Sequence, residues 1–224
     1  MAASRICVLF DIDGTLIVTG GAGTASWRMA FDELYGIPAD IGEFTDAGMT
    51  DPEVGRKTFE SVMHRAPERQ EFTRLLERRL FYLHQTVRDS TGYRVLPGVP
   101  ELLPRLIDKG YLLGLVTGNL EASAHIKLHR AGLNRFFSFG GYGSDSTDRG
   151  ELTRIALRRA ALVYGEPVTP GQAITVGDTP HDVTGAHAAG IACVGVGSHN
   201  FTVEQLRDAG ADYAIASLAE PLPL

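Results

Sequence analysis

Cysteine is scarce: Cys7 and Cys193 are the two in 224 residues, each inside a short apolar run, Ile6 to Phe10 and Ile191 to Val196. In such a run a thiol behaves as a small buried hydrophobe, which predicts no disulfide and a reducing, intracellular setting. Positive charge is also short. Lys and Arg number 21 against 27 Asp and Glu, a net charge of −6, and no run of five like charges occurs. A nucleic-acid partner, which would need a basic face, is excluded on this reading. No stretch reaches the roughly 18 apolar residues of a membrane span, and the five apolar residues between Arg5 and Asp11 are too few for a signal-peptide core. The expectation is a soluble, cytoplasmic protein with no membrane partner.

What is present is ordinary globular material. Hydrophobic residues make up 44% and charged residues 21%, enough to bury a sizeable core and too apolar for a disordered chain. Against roughly 150 residues per domain, the length suits one large domain or one domain carrying an insert. Ile6 to Phe10, Tyr111 to Val116, Ala173 to Val176 and Ile191 to Val196 are short apolar runs that end in small and polar residues. They read as buried parallel strands. Helical spacing lies between the later ones, so the pattern predicts a doubly wound, Rossmann-like α/β sheet.

From Thr19 to Gly92 every apolar repeat is helical: Trp27, Ala30, Phe31 and Leu34, then Phe59, Val62 and Met63, then Phe72, Leu75, Leu76, Leu83 and Val87. The predicted organisation is an α/β core from 1–18 and 93–224, with an all-helical insert over 19–92. Gly20, Gly21 and Gly23 mark one boundary and Ser90 to Gly92 the other. The three glycines miss the G-x-G-x-x-G spacing of a dinucleotide loop, and a hinge is the better reading.

The chemistry falls where the strands stop, which is where ligands bind in open α/β sheets. Those ends carry Asp11 and Asp13, then Thr117, Gly118 and Asn119, then Gly177, Asp178 and Asp182. Several carboxylates converging at the end of a buried sheet need a compensating cation. A hard divalent ion, Mg²⁺ in particular, fits oxygen ligands and a substrate phosphate. The bland alternative for Asp13-Gly14 alone is a turn, but three such segments in order, each after an apolar run, point to one site.

Phe10-Asp11-Ile12-Asp13-Gly14-Thr15-Leu16, Thr117-Gly118-Asn119 and Gly177-Asp178-Thr179-Pro180-His181-Asp182 resemble the first, second and fourth motifs of the haloacid-dehalogenase-superfamily phosphatases. Within them, the chain resembles the helical-cap subgroup that includes phosphoglycolate-phosphatase-like enzymes. The resemblance implies that Asp11 is a nucleophile forming an aspartyl-phosphate and that Asp13 is the general acid and base. It also implies that Mg²⁺ is held by Asp11, Asp178 and the backbone carbonyl of Asp13, with Asp182 orienting the ligands. Thr117, Gly118 and Asn119 would hold the phosphoryl oxygens of a small phosphorylated metabolite, with phosphoglycolate the first candidate by analogy.

The third family motif normally supplies a lysine, and Ser144 to Leu152 contains none. Arg149 is the expected replacement, since a guanidinium can grip phosphate bidentately, and Arg154 is the second choice. Asp13 argues against halide displacement, because the dehalogenases of the superfamily lack that second acid. Lys57, the one lysine of the insert, has no apolar run around it to suggest a Schiff-base role. A sugar phosphomutase of the same superfamily and a non-catalytic phosphate-sensing protein remain as alternatives. In the loop Thr45 to Pro52, the residues Gly48, Met49 and Thr50 are expected to touch the substrate, or else Thr50 caps the next helix. His125 and His129 share a helix face without a third ligand and read as solvated.

Overall fold

The structure is a computed structural model that describes residues 7–224; Ile6, read as the start of the first run, lies outside them. The first half contains β1 (Cys7–Phe10), β2 (Ile17–Val18), α1 (Ala22–Tyr35), α2 (Asp51–Met63), α3 (Arg69–Asp89), β3 (Arg94–Val95), α4 (Val99–Asp108) and β4 (Leu112–Thr117). The second half contains α5 (Glu121–His129), β5 (Gly140–Tyr142), α6 (Arg149–Tyr164), β6 (Ala173–Gly177), α7 (Pro180–Ala188), β7 (Ala192–Val196), α8 (Val203–Asp208) and β8 (Tyr213–Ile215).

The four apolar runs form the middle of a six-stranded sheet in the order β5-β4-β1-β6-β7-β8, and every pairing is parallel. Successive side chains of a strand point to opposite faces, and both faces are covered. Val8, Phe10, Leu113, Leu115, Ile174 and Val176 pack against Leu102, Leu106, Ala124 and Leu128 of α4 and α5. Cys7, Leu9, Ala173 and Cys193 pack against Leu152, Ala156, Val183 and Ala186 of α6 and α7. Full burial of each larger side chain contributes ~1.5–3 kcal/mol. The two cysteines are free and buried as expected, and burial pushes both thiols up to about 12.

The chain builds one half of the sheet outward from β1 through β4 to β5, then returns to β6 on the other side of β1. This reversal opens a crevice beyond the carboxyl ends of β1 and β6, the usual ligand position in such folds. The β1 register seats Phe10 between Leu115 and Val176, so the residues after these strands emerge side by side.

Between β1 and α4 the chain makes a small antiparallel ribbon of β2 and β3, with Ile17 opposite Val95 and Val18 opposite Arg94. Helices α1, α2 and α3 lie between these strands. Their own apolar cluster is centred on Trp27, Phe31, Phe59 and Leu75. Where the chain crosses to and from these helices, Gly20 and Gly92 touch through their backbones: a Cβ on Gly20 would lie 2.4 Å from the Gly92 carbonyl carbon. The α2 helix is started by a capping box in which the Thr50 hydroxyl and the Glu53 carboxylate each serve the other's backbone N–H. The buried row of α3 is Leu75, Arg79, Leu83 and Val87, an i, i+4 series with one charged member.

Candidate active site

The β1 strand delivers Asp11 to the crevice, and the Asp11 N–H still donates to the Val176 carbonyl at 2.9 Å. Asp178 leaves the end of β6, where the Thr15 hydroxyl donates to its Oδ1 at 3.2 Å. Gly14 makes this approach possible. Its φ is +83°, and a Cβ there would sit 2.1 Å from Asp178 Oδ2, so a side chain at this position is excluded by both conformation and space. Asp182 comes from the first turn of α7 and accepts from the Thr179 N–H and hydroxyl at 3.0 and 2.8 Å. Carboxylate oxygens of Asp11, Asp178 and Asp182 lie within 4.8 Å of one another, and all three residues are buried.

Burial, followed by the charge of Asp182, raises both neighbours: the Asp11 carboxyl is held well above the usual carboxylate range, and Asp178 is raised to about 7. Asp178 Oδ2 is buried without a hydrogen-bond donor. An orphaned oxygen beside a second raised carboxyl, with no side chain possible at Gly14, fits a hard cation bound through oxygen. Asp182 is less available, being engaged by Thr179 and paired with Arg149.

These shifts have a sign. An acid raised in the folded state binds its proton more tightly there than in the unfolded chain, so its contribution to stability is complete below pH ~4 and is lost as the pH rises through its folded value. For Asp178 that loss runs from about pH 4 and is nearly complete at about 7. In chelator, the Asp178→Asn variant should therefore gain stability relative to the parent protein as the pH is raised from 5 to 8. Urea denaturation at the two pH values measures this, and a pH-independent difference would contradict the burial of that charge.

Beside the acidic cluster runs a hydrogen-bonded chain. Asn119 Nδ2 donates to Thr117 Oγ1 and to Asp13 Oδ2, each at 2.8 Å. Lys127 Nζ donates to Asp13 Oδ2 and to Asn119 Oδ1, each at 2.6 Å. Burial alone would raise Asp13, but Lys127 and Asn119 outweigh it and hold its carboxyl below the usual range. Lys127 lies on the buried face of α5 with Ser123, Ala124 and Leu128, and sequence reasoning missed it. The available signal was a lysine in register with apolar residues on a helix that starts just after Asn119.

Arg149, expected to grip phosphate, is the first residue of α6 and is buried rather than solvated. Its guanidinium is paired with Asp182, which corrects the picture of a free phosphate clamp. It remains close enough to Asp11 to oppose the rise of that carboxyl. Arg154, the second choice, bonds to Glu151 and to the Ala188 carbonyl and takes no part in the acidic cluster. His125 bonds to Asn134 and His129 is exposed.

A cleft of about 740 Å³ lies over these residues, bounded by Asp11, Asp13, Lys127 and Asp178 on one side and by Trp27 and Met49 on the other. Gly48 also lines it and sits against the core: a Cβ there would be 2.7 Å from the His181 ring and 3.0 Å from the Thr179 hydroxyl. Gly118 is equally close to the Met49 carbonyl. Thr50 departs from the expected substrate loop, because its buried hydroxyl is bonded to Glu53 as a helix cap. Immediately after it, the Asp51 N–H donates to the Gly118 carbonyl at 2.7 Å, and Asp51 Oδ2 accepts from the Leu120 N–H at 2.9 Å. The second Asp51 oxygen pairs with Arg79 at 3.0 Å. Arg79 in turn donates to Ser123 and stacks over Trp27, 5.2 Å from the ring centre.

Residues 7–190 match the family model for haloacid dehalogenase-like hydrolases. The chain belongs to that family. It is 32% identical over 200 residues to a phosphoglycolate phosphatase of Mesorhizobium japonicum, covering 86% of this chain and 83% of the relative. Among solved structures it resembles a hydrolase from Pseudomonas syringae, with a TM-score of 0.73 at 22% identity over 96% of this chain and 95% of the other. It also resembles a β-phosphoglucomutase from Clostridium difficile, with a TM-score of 0.73 at 19% identity over 96% and 92%. At these identities the two structures support the fold of a haloacid dehalogenase-like hydrolase, and the α/β sheet with its inserted helices agrees with it.

Proposed function

We propose that this haloacid dehalogenase-like hydrolase is a Mg²⁺-dependent phosphatase of a small phosphomonoester, working through an aspartyl-phosphate on Asp11. The observation that carries the reading is the convergence of Asp11, Asp178 and Asp182 on one buried point, with Asp13, Asn119 and Lys127 bonded together across the same cleft. Relatives named as phosphatases support it. Phosphoglycolate is the first substrate to test, on the strength of the relative that bears its name.

In this reading an Asp11 oxygen attacks phosphorus and the ester oxygen departs with a proton from Asp13. Water then opens the acyl phosphate and returns a proton to Asp13. The Thr117 hydroxyl accepts from Asn119, which leaves its own hydrogen to donate to a phosphoryl oxygen. Arg149, fixed by Asp182, places positive charge behind Asp11. Asp11, Asp178 and the backbone carbonyl of Asp13 would hold the magnesium ion, which when bound supplies charge neutralisation to the transferring group. Helices α1 to α3, within the proposed 19–92 cap, would cover the cleft and exclude water, with Gly48 and Met49 near the leaving group. No helix among the described residues is long and apolar enough to cross a membrane, and a cytoplasmic location is part of the proposal.

The test is phosphate release by the purified protein from a panel of phosphorylated metabolites, with Mg²⁺ and with chelator. The expected result is release that falls by at least about 100-fold in chelator. No release from any ester would overturn the reading, and conversion of a sugar phosphate to its isomer without release would replace it with a mutase.

A further inference from the structure

Two donors meet on one carboxyl oxygen, and bond to each other, in a way the phosphatase reading does not by itself require. Asp13 Oδ2 accepts from Lys127 Nζ at 2.6 Å and from Asn119 Nδ2 at 2.8 Å, and Lys127 also donates to Asn119 Oδ1 at 2.6 Å. The three side chains thus close a ring of hydrogen bonds. Lys127 is 5% exposed, its stem lying on the face of α5 that carries Ala124 and Leu128. Its backbone is held by the Tyr93 hydroxyl, which donates to the Lys127 carbonyl at 2.7 Å. A buried ammonium with a fixed backbone and two charge-assisted or polar partners has little freedom to move.

We propose that Lys127 is a positioning residue for the leaving-group proton, fixing Asp13 so that the proton it delivers sits on Oδ1. The chemistry of the ring requires this choice of oxygen. A proton on Oδ2 would point at an N–H of Asn119 or Lys127, donor against donor, whereas Oδ1 can carry it without disturbing either bond. When the Asp11–phosphorus bond forms and the phosphorus–ester oxygen bond breaks, the ester oxygen takes the hydrogen from Asp13 Oδ1 and the electron pair of that O–H bond stays on Asp13. The family's third motif normally brings a lysine to the site from the segment before α6. In this chain that segment has none, and the lysine that reaches the site comes from α5 and contacts the acid rather than the nucleophile.

The inference rests on the phosphatase reading, and the experiment separates the two. The comparison is kcat/KM for a simple alkyl phosphate, whose alkoxide must be protonated to leave, against nitrophenyl phosphate, whose phenolate departs without help. This constant covers only the steps up to departure of the leaving group, so hydrolysis of the acyl phosphate does not enter. Lys127→Met should lose about 100-fold on the alkyl ester, the scale of general-acid catalysis, and less than about 5-fold on the aryl ester. Lys127→Gln, shorter and uncharged, gives the same ratio test should the methionine variant fail to fold. Equal losses on both esters, or no loss on either, overturn the role of Lys127 while leaving the phosphatase intact. The alkyl ester is chosen from those the parent protein hydrolyses, and a parent protein that hydrolyses none overturns the underlying reading instead.

Discussion

Asp11→Asn is expected to abolish phosphate release, with a fall on the order of 10⁴-fold or more, as when a covalent nucleophile is removed. The same change should leave the metal-free fold at least as stable as before. Asparagine has the shape of aspartate but cannot be esterified, and it carries no charge. Asp11 is buried beside Asp182 and Asp178, and the fold holds its carboxyl well above the usual range, so ionising it there is unfavourable. Steady-state phosphate assays and thermal melts in chelator check both halves. Turnover near that of the parent protein would remove Asp11 from the chemistry, and a large drop in melting temperature would show that its contribution is structural.

The largest expected loss of stability follows Arg79→Leu. Arg79 is 1% exposed and pairs with Asp51, whose side chain is itself only 10% exposed. Taking away one partner of a buried pair strands the other charge, which typically costs ~3–5 kcal/mol. For a chain of this size that corresponds to a fall in melting temperature of roughly 6–20 °C. Adding Asp51→Asn to Arg79→Leu should recover a substantial part of the loss, since the amide keeps an acceptor for the Leu120 N–H without the charge. Equilibrium urea denaturation of the single and double variants measures this. A loss below about 1 kcal/mol for Arg79→Leu would mean that water reaches the pair in solution and that α2 and α3 do not rest on the 118–123 segment as described.

Why the reading from residues succeeded in some places and not others has a physical pattern. Cys7 to Phe10, Leu112 to Val116, Ala173 to Val176 and Ala192 to Val196 were legible because strands buried on both faces must be apolar throughout. The two edge strands carry no such signature. Gly140-Gly141-Tyr142 is selected for closeness instead: a Cβ on Gly141 would lie 2.0 Å from the Leu152 carbonyl oxygen. Tyr213 to Ile215 is short and only partly covered. In the site, Asp11, Asp13, Thr117, Asn119 and Asp178 stood out because each lies at the end of a strand or within three residues after it. Lys127 and Arg79 lie within helices rather than at strand ends, where only their register with Ala124 and Leu128, or with Leu75 and Leu83, betrays that they point inward. Arg149, expected to grip phosphate, is paired with Asp182, which is 33 positions away, and no local pattern announces the pairing. Thr50 followed the alternative its neighbours favoured, a helix start followed by Asp51, Pro52 and Glu53.

The position of β1 in the middle of the sheet, bonded to β4 on one side and β6 on the other, has an evolutionary consequence. Asp11, the proposed nucleophile, directly follows a strand held on both sides, whereas the opposite wall of the cleft belongs to helices joined to that strand through a single pair of chain passages. Replacement of the helical wall can therefore diversify the molecules admitted without rebuilding the strand ends beneath it.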